Sequence, residues 1–166
     1  VSECHNRGME CHAWINPYRF ESVSNKYDGT PQNYREEHPD WVMDYNNAAI
    51  LNPGKQEVID RIVEVIREVV RNYDVDGILF DDYFYLGGTP MSADADLYAA
   101  YKDNGGKLSQ ADWRRDNVNR MVKSVYNMIQ TEKPWVRFGI SPAGIAGTTV
   151  GQTSKYGLTP CPTGSD

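Results

Sequence analysis

Two adjacent carboxylates, Asp81 and Asp82, are the residues of this sequence best suited to acid/base chemistry. They directly follow an apolar run, 77–80, whose composition fits a strand buried on both faces of a parallel sheet. Three aromatic residues, 83–85, come next, and aromatic rings beside carboxylates are typical of pockets that bind sugars and cleave glycosidic bonds. The competing interpretation is a surface turn with solvated acids, which three consecutive aromatic residues disfavour.

The two acids are expected to have different roles. Alternation along a strand puts Leu79, Asp81 and Tyr83 on one face, and Phe80 and Asp82 on the other. Both acids therefore cannot point at one scissile bond, so one is catalytic and the other positions it. The face shared with Leu79 and Tyr83 favours Asp81. Glycoside hydrolysis needs a second carboxylate roughly 5 to 9.5 Å from the first, and we expect that group to lie outside this chain.

A second polar and aromatic group follows an earlier predicted strand. Alternation places His12, Trp14 and Asn16 on one face of that strand, with Asn16 nearest the carboxyl end. Arg19 offers a forked donor for a carboxylate or a pair of sugar hydroxyls, or else orients one of the acids structurally. For His12, a hydrogen-bonded interior histidine is the favoured alternative to a substrate contact.

Ser141 ends a third apolar run and precedes Pro142, which favours extended backbone at that position. We expect its hydroxyl to form hydrogen bonds rather than to attack, because Ser-Pro-Ala-Gly lacks the nucleophile-elbow pattern. Predicted substrate-binding residues follow each of the three runs: His12, Trp14, Asn16, Arg19, Tyr83, Tyr85 and Ser141.

Metal chemistry is a weaker alternative for the paired acids. Adjacent carboxylates are poor joint ligands for one ion, and no histidine pair has a spacing that would help. We therefore expect neither a metal nor a cofactor.

The elements that position these residues alternate between strand and helix. We predict strands near 9–15, 76–81 and 136–141, and helices near 54–73 and 112–132. This order predicts a parallel sheet with right-handed crossovers and the helices on one side.

Turn and capping signals support these boundaries. Asn52 and Pro53 have the types preferred at an N-cap and a first helical position, and Ser109 begins a capping box with Asp112. The long polar segment 17–51 is expected to fold over the carboxyl ends of the strands, with small elements of its own.

Composition restricts the class of protein. The net charge of −6 over 166 residues argues against a nucleic-acid partner, which needs a clustered basic face. No apolar run approaches the roughly 18 residues of a membrane span. A sheet of only three apolar parallel strands would leave its outer strands without the neighbours that bury them. We therefore interpret 1–166 as the central part of a single (β/α)8 TIM barrel, an α/β fold, with flanking strands missing at both ends.

Four motifs resemble successive motifs of the glycosyl hydrolase-like 10 family: Trp14–Arg19, Asp76–Tyr85, Trp113–Asn117 and Phe138–Pro142. This resemblance implies an extracytoplasmic bacterial glycosidase barrel, located in the periplasm or cell envelope. It also implies that Asp81 and Asp82 lie in the active cleft. The expected substrate is a β-linked amino-sugar polysaccharide or oligosaccharide of the cell wall. The alternative is a non-catalytic carbohydrate-binding barrel that retains the cleft.

Overall fold

The structure is a computed structural model that describes residues 1–21, 34–45, 48–81 and 84–141. Predictions about Asp82, Tyr83 and residues beyond Ser141 lie outside the described residues. The helices are α1 (Ser2–His5), α2 (Tyr34–Glu37), α3 (Gln56–Asn72), α4 (Ala95–Asp103) and α5 (Gln110–Glu132). The strands are β1 (His12–Ile15), β2 (Arg19–Glu21), β3 (Val42–Tyr45), β4 (Ala48–Leu51), β5 (Gly77–Asp81) and β6 (Arg137–Ser141).

The main sheet is parallel, with β5 between β1 and β6. Its register pairs Ile15 with Phe80 and Phe80 with Ile140. Ile78 and Phe80 are buried in the core, whereas the alternate residues Leu79 and Asp81 are only partly buried. The three predicted strands, their parallel pairing and the α/β barrel class are confirmed.

Two long helices, α3 and α5, cover one face of this sheet. Apolar residues at helical spacing join Ile78 and Phe80 in one core: Val58, Ile59, Ile62, Ile66 and Val70 from α3, and Val118, Met121, Val125, Met128 and Ile129 from α5. Arg71 near the end of α3 donates two hydrogen bonds to the Glu132 carboxylate at the end of α5, at 2.8 and 2.7 Å. The helix layer thus fixes which sheet face is left for a site.

The capping predictions had different outcomes. Ser109 caps α5 as predicted, since its hydroxyl accepts a hydrogen bond from the Asp112 backbone N–H at 3.2 Å. The prediction for α3 was wrong, because the helix begins at Gln56 with Lys55 as N-cap. Asn52 instead accepts from the Gly54 backbone N–H at 2.9 Å, the local turn that asparagine side chains favour.

The segment after β1 forms a second sheet that the sequence pattern did not predict. It is antiparallel, in the order β2-β4-β3. Met43 and Ile50 extend into the same core as Phe80. The Tyr45 hydroxyl lies only 3.1 Å from where a Cβ would stand on Gly88, whose φ of +82° also favours glycine. The small sheet therefore packs against the loop that follows β5, near the carboxyl end of that strand.

Among the described residues, no helix is both long enough and apolar enough to span a bilayer.

Candidate active site

The carboxyl ends of the parallel strands bring Asp81 and Ser141 side by side. Asp81 ends β5 and pairs in register with Ser141 at the end of β6. Asn16 follows β1 directly and is half-buried, and Ser141 is exposed. In parallel barrels this end of the strands carries the catalytic groups.

Trp14 contacts the candidate carboxylate directly. It pairs with Leu79, which places it on the same face as Asp81. Its indole N–H donates a hydrogen bond to Asp81 Oδ2 at 3.0 Å. The indole N–H can only donate, and the carboxyl oxygen accepts. This contact fixes one carboxylate oxygen of Asp81.

Arg19 lies at the start of β2, where its backbone pairs with Ile50 in the antiparallel sheet. Its side chain is exposed. Its role in binding a substrate stays a prediction, as do the roles of Asp82 and Tyr83, which lie outside the described residues.

His12 lies at the wrong end of the sheet to bind a substrate at the strand mouths. It pairs with Gly77 at the start of β5, four residues before Asp81. Its ring covers Gly77, whose Cβ, if present, would lie 2.5 Å from His12 Nδ1. The Nε2 atom lies 2.9 Å from a Glu10 carboxylate oxygen. This placement corrects its inclusion among the substrate-binding residues at the strand mouths. Its exposed side chain is not the interior histidine of the alternative interpretation either.

Tyr85 also requires a correction. Its side chain is 1% exposed and belongs to the core, with the Arg114 guanidinium 5.1 Å from the ring centre. Because the ring is buried, it is not available to stack on a sugar.

A buried ion pair holds the segment that follows Asp81, and the sequence-based predictions missed it. Arg114, fully buried on α5, donates to both carboxylate oxygens of Asp94 at 2.8 Å. It also donates to the backbone carbonyls of Thr89 at 3.0 Å and Pro90 at 2.8 Å. Such a bidentate pair fixes geometry as well as charge. A signal was present, because Arg114 lies four residues before Val118 in the apolar stripe of α5.

At the opposite end of the sheet, Asp76 joins the starts of two strands. Its carboxylate accepts hydrogen bonds from the Cys11 backbone N–H at 2.7 Å and lies 2.8 Å from His5 Nε2. The Cys11 N–H, followed by the His5 ring, holds the pKa of Asp76 below its ordinary value of 3.8. This agrees with a structural rather than a catalytic Asp76.

The described residues include no cluster of three or more His, Cys, Asp or Glu side chains arranged to hold a metal ion.

An acidic residue and polar groups at the carboxyl ends of parallel strands are the arrangement that active sites of (β/α) barrels use. A family model described as Glycosyl hydrolase-like 10 matches residues 1–156, and the chain belongs to that family. The resemblance given by the four sequence motifs is thereby confirmed.

Relatives with curated names agree with this assignment. The chain is 39% identical to "Glycosyl hydrolase YngK" of Bacillus subtilis (strain 168), over 95% of this chain and 32% of that protein. It is 38% identical to "Glycosyl hydrolase DigH" of Escherichia coli (strain K12), over 87% of this chain and 35% of that protein. The chain therefore spans about a third of the length of these relatives.

Solved structures share the fold at low sequence identity. Alpha-L-fucosidase isoenzyme 2 from Paenibacillus thiaminolyticus matches with a TM-score of 0.60 and 17% identity, over 93% of this chain and 24% of that one. The galactosidase domain of alpha-galactosidase-sucrose kinase, AgaSK, matches with a TM-score of 0.53 and 19% identity, over 85% and 17% of the two chains. At these identities the likeness shows the barrel fold alone.

Proposed function

We propose that the protein containing this chain is a glycoside hydrolase that cleaves a β-linked amino-sugar polysaccharide, the glycan of the bacterial cell wall. One observation carries the proposal: Asp81, at the carboxyl end of the central strand, accepts a hydrogen bond from Trp14 and lies beside Ser141. Membership of the Glycosyl hydrolase-like 10 family supports the reaction class. The cell-wall substrate implies an extracytoplasmic location, in the periplasm or cell envelope.

In this proposal Asp81 acts as the nucleophile or the general base. The Trp14 N–H holds Asp81 Oδ2 at 3.0 Å, which positions the carboxyl group for that role. The general acid then comes from another strand of the barrel, outside this chain. Asp82, one residue later, is assigned a positioning role.

The substrate contacts follow from the same edge of the sheet. The exposed face of the Trp14 ring provides an apolar surface for the C–H face of a sugar. Asn16 and Ser141 supply hydrogen-bonding groups for hydroxyl or acetamido substituents, and Arg19 supplies a forked donor.

The test is Asp81→Asn in the full-length protein, assayed on denuded peptidoglycan glycan strands and on chitin oligomers. Loss of a catalytic carboxylate is expected to lower the rate by at least about 100-fold. Asp96→Asn, an exposed acid in the first turn of α4, is the matched control and is expected to retain full activity. Full activity in Asp81→Asn with loss in Asp82→Asn would exchange the two roles. Full activity in both would remove this segment from catalysis.

A non-catalytic carbohydrate-binding barrel is the second candidate. One observation favours it. The described parallel strands end at Ile15, Asp81 and Ser141, so these three strand ends present a single acid. A glycosidase needs two carboxyl groups. Glycan binding by the full-length wild-type protein, with no release of new reducing ends, would favour this candidate.

A further inference from the structure

Arg114 of α5 holds the β5 loop, residues 84–94, from the helix layer. Its guanidinium donates to both Asp94 carboxylate oxygens at 2.8 Å. It also donates to the backbone carbonyls of Thr89 at 3.0 Å and Pro90 at 2.8 Å. The Arg114 and Asp94 side chains are both fully buried. One side chain of the helix thus fixes the second half of the loop.

The first half of the β5 loop is fixed by packing, in part on the same arginine. The Tyr85 ring is 1% exposed, and the guanidinium carbon of Arg114 lies 5.1 Å from its centre. Phe84 packs edge-on against Tyr18, with the ring centres 6.4 Å apart, and Leu86 packs against the core. The first three residues of the loop therefore have fixed positions relative to the core.

Stability alone does not account for a buried arginine at this position. Replacement of a buried ion pair by apolar residues of similar volume is often neutral or stabilising, because the desolvation of two charges is costly. A guanidinium differs from an apolar side chain in its planar fork of N–H donors, which fixes the directions of several acceptors at once. Arg114 is therefore suited to set the position of a loop rather than merely to fill the core.

The β5 loop is attached directly to the candidate catalytic residue. Residues 82–84 alone separate Asp81, at the end of β5, from the buried Tyr85. A displacement of Tyr85 therefore acts through a short connection on a carboxylate whose Oδ2 lies 3.0 Å from the Trp14 indole nitrogen. Catalytic groups must stay within about 0.5 Å of their productive geometry, which requires support from the surrounding residues.

We propose that Arg114 is a positioning residue for Asp81: by fixing the β5 loop, it keeps the Asp81 carboxyl group in its hydrogen bond with Trp14. The expected effect on the rate rests on the proposed glycosidase function. The expected effect on the contact between Trp14 and Asp81 does not, so the two proposals can fail separately.

Arg114→Lys in the full-length protein tests the effect on the rate. Lysine keeps a positive charge beside Asp94 but lacks the planar fork. We expect kcat on denuded glycan strands, measured well below the Tm of the variant, to fall by about 10- to 100-fold. We expect little change in KM, because the predicted substrate contacts lie on other elements.

Arg115→Lys is the matched control, because Arg115 is the next residue of α5 and pairs with Asp112 at the surface. It is expected to keep the wild-type kcat and KM. A folded Arg114→Lys variant with the wild-type kcat would overturn the proposal.

The Trp14 indole reports the position of Asp81 without an assay of activity. In full-length protein labelled with fluorotryptophan, the fluorine resonance of Trp14 is assigned by its loss in Trp14→Phe. We expect this resonance to shift or broaden in Arg114→Lys and to stay unchanged in Arg115→Lys. An unchanged resonance in folded Arg114→Lys would overturn the proposal. A shifted resonance in a protein whose wild type cleaves no glycan would support the positioning role and contradict the glycosidase function alone.

Gln110→Ala provides the test if Arg114→Lys does not fold. The Gln110 side chain donates to the Met91 carbonyl at 2.6 Å and to Asp94 Oδ1 at 2.8 Å, so it holds the same loop from the same helix. Its loss is expected to give a smaller fall in kcat and a smaller change in the Trp14 resonance. An unchanged rate together with an unchanged resonance in this variant would overturn the proposal.

Discussion

Trp14 and Trp135 allow the hydrogen bond to Asp81 to be separated from general effects of losing an indole. Both rings are 69% exposed, but Trp14 donates to Asp81 at 3.0 Å, whereas Trp135 precedes β6 at the opposite end of the sheet. Trp14→Phe keeps an aromatic surface and loses the N–H. A hydrogen bond to a charged group contributes about 1.5 kcal/mol or more, so we expect kcat on glycan strands to fall by about 10-fold.

Whether Trp14→Phe changes kcat or KM identifies the role of the indole. Positioning of Asp81 predicts a loss mainly in kcat, and sugar stacking alone predicts a rise in KM with kcat preserved. Trp135→Phe is expected to change neither constant. An equal loss in both tryptophan variants would show that the effect does not arise at Asp81.

Gly77 and His12 form a steric pair at the amino ends of the strands. An added Cβ on Gly77 would lie 2.5 Å from His12 Nδ1, so the ring would have to leave its present position beside Glu10. We expect Gly77→Ala to cost about 1–3 kcal/mol of unfolding free energy. In a His12→Ala background the same change should cost little, as urea unfolding of all four variants can show. A full cost in both backgrounds would assign the strain to the backbone.

At the scale of elements, adjacent arginines on α5 compare a buried with an exposed ion pair. Arg114 is fully buried on Asp94, and Arg115 pairs with Asp112 at the surface, at 2.6 Å. Arg114→Met would leave the Asp94 carboxylate buried without its partner, and we expect a loss of about 3–5 kcal/mol. Arg115→Met is expected to cost less than about 1 kcal/mol. Equal losses in urea unfolding would contradict the structural role of Arg114.

Asp76 predicts how the junction of α1, β1 and β5 responds to acid. Its pKa is lowered in the folded protein, so it contributes stability above its unfolded value of 3.8 that is lost as pH falls through the folded value. Asp76→Asn should therefore lower Tm near neutral pH, while the difference from wild type shrinks below about pH 4. Tm measured from pH 7 down to pH 2.5 tests this, and a constant difference would exclude the linkage.

The helix α5 was predictable because its apolar residues recur at helical spacing from Val118 onward. The strand β5 was predictable because residues 77–80 form an uninterrupted apolar run, which is typical of a buried strand. The strands β2, β3 and β4 have only three or four residues each and exist through pairing with one another, which a local pattern does not reveal. Arg114 was missed because a charged residue is rarely fully buried unless it is paired, and Asp94 lies 20 residues away.

The site was predictable to the extent that it depends on strand alternation. Parity along β5 correctly put Asp81 on the face of Leu79, and the registered pairing brings Ser141 beside it. Parity along β1 correctly put His12 and Trp14 on one face. Parity does not give the position along the strand, and His12 lies at the start of β1, beside the start of β5, rather than at the carboxyl ends. Tyr85 was misjudged because its ring is buried in the core, which alternation counted from β5 does not indicate.

At the scale of the whole molecule, the glycosidase proposal requires a carboxylate that faces Asp81 across the barrel. The chain spans about a third of the length of its curated relatives. Among the last residues of its described parallel strands, Asp81 is the acid. We predict that the full-length protein places a second carboxyl group roughly 5 to 9.5 Å from that of Asp81. Its distance determines the stereochemistry: about 5–5.5 Å requires retention, with Asp81 as nucleophile, and about 6.5–9.5 Å requires inversion, with Asp81 as base.

Two independent measurements test this prediction on the same protein. A crystal structure of the full-length protein gives the distance between the carboxyl groups, and NMR of the first product formed from a chitin oligomer gives its anomeric form. Agreement between the distance and the anomer would support the assignment of Asp81. Replacement of the second acid by its amide should then lower the rate by at least about 100-fold, as for Asp81→Asn. A cleft with no carboxyl group within roughly 10 Å of Asp81 lies beyond the range of either mechanism and would identify a carbohydrate-binding barrel instead.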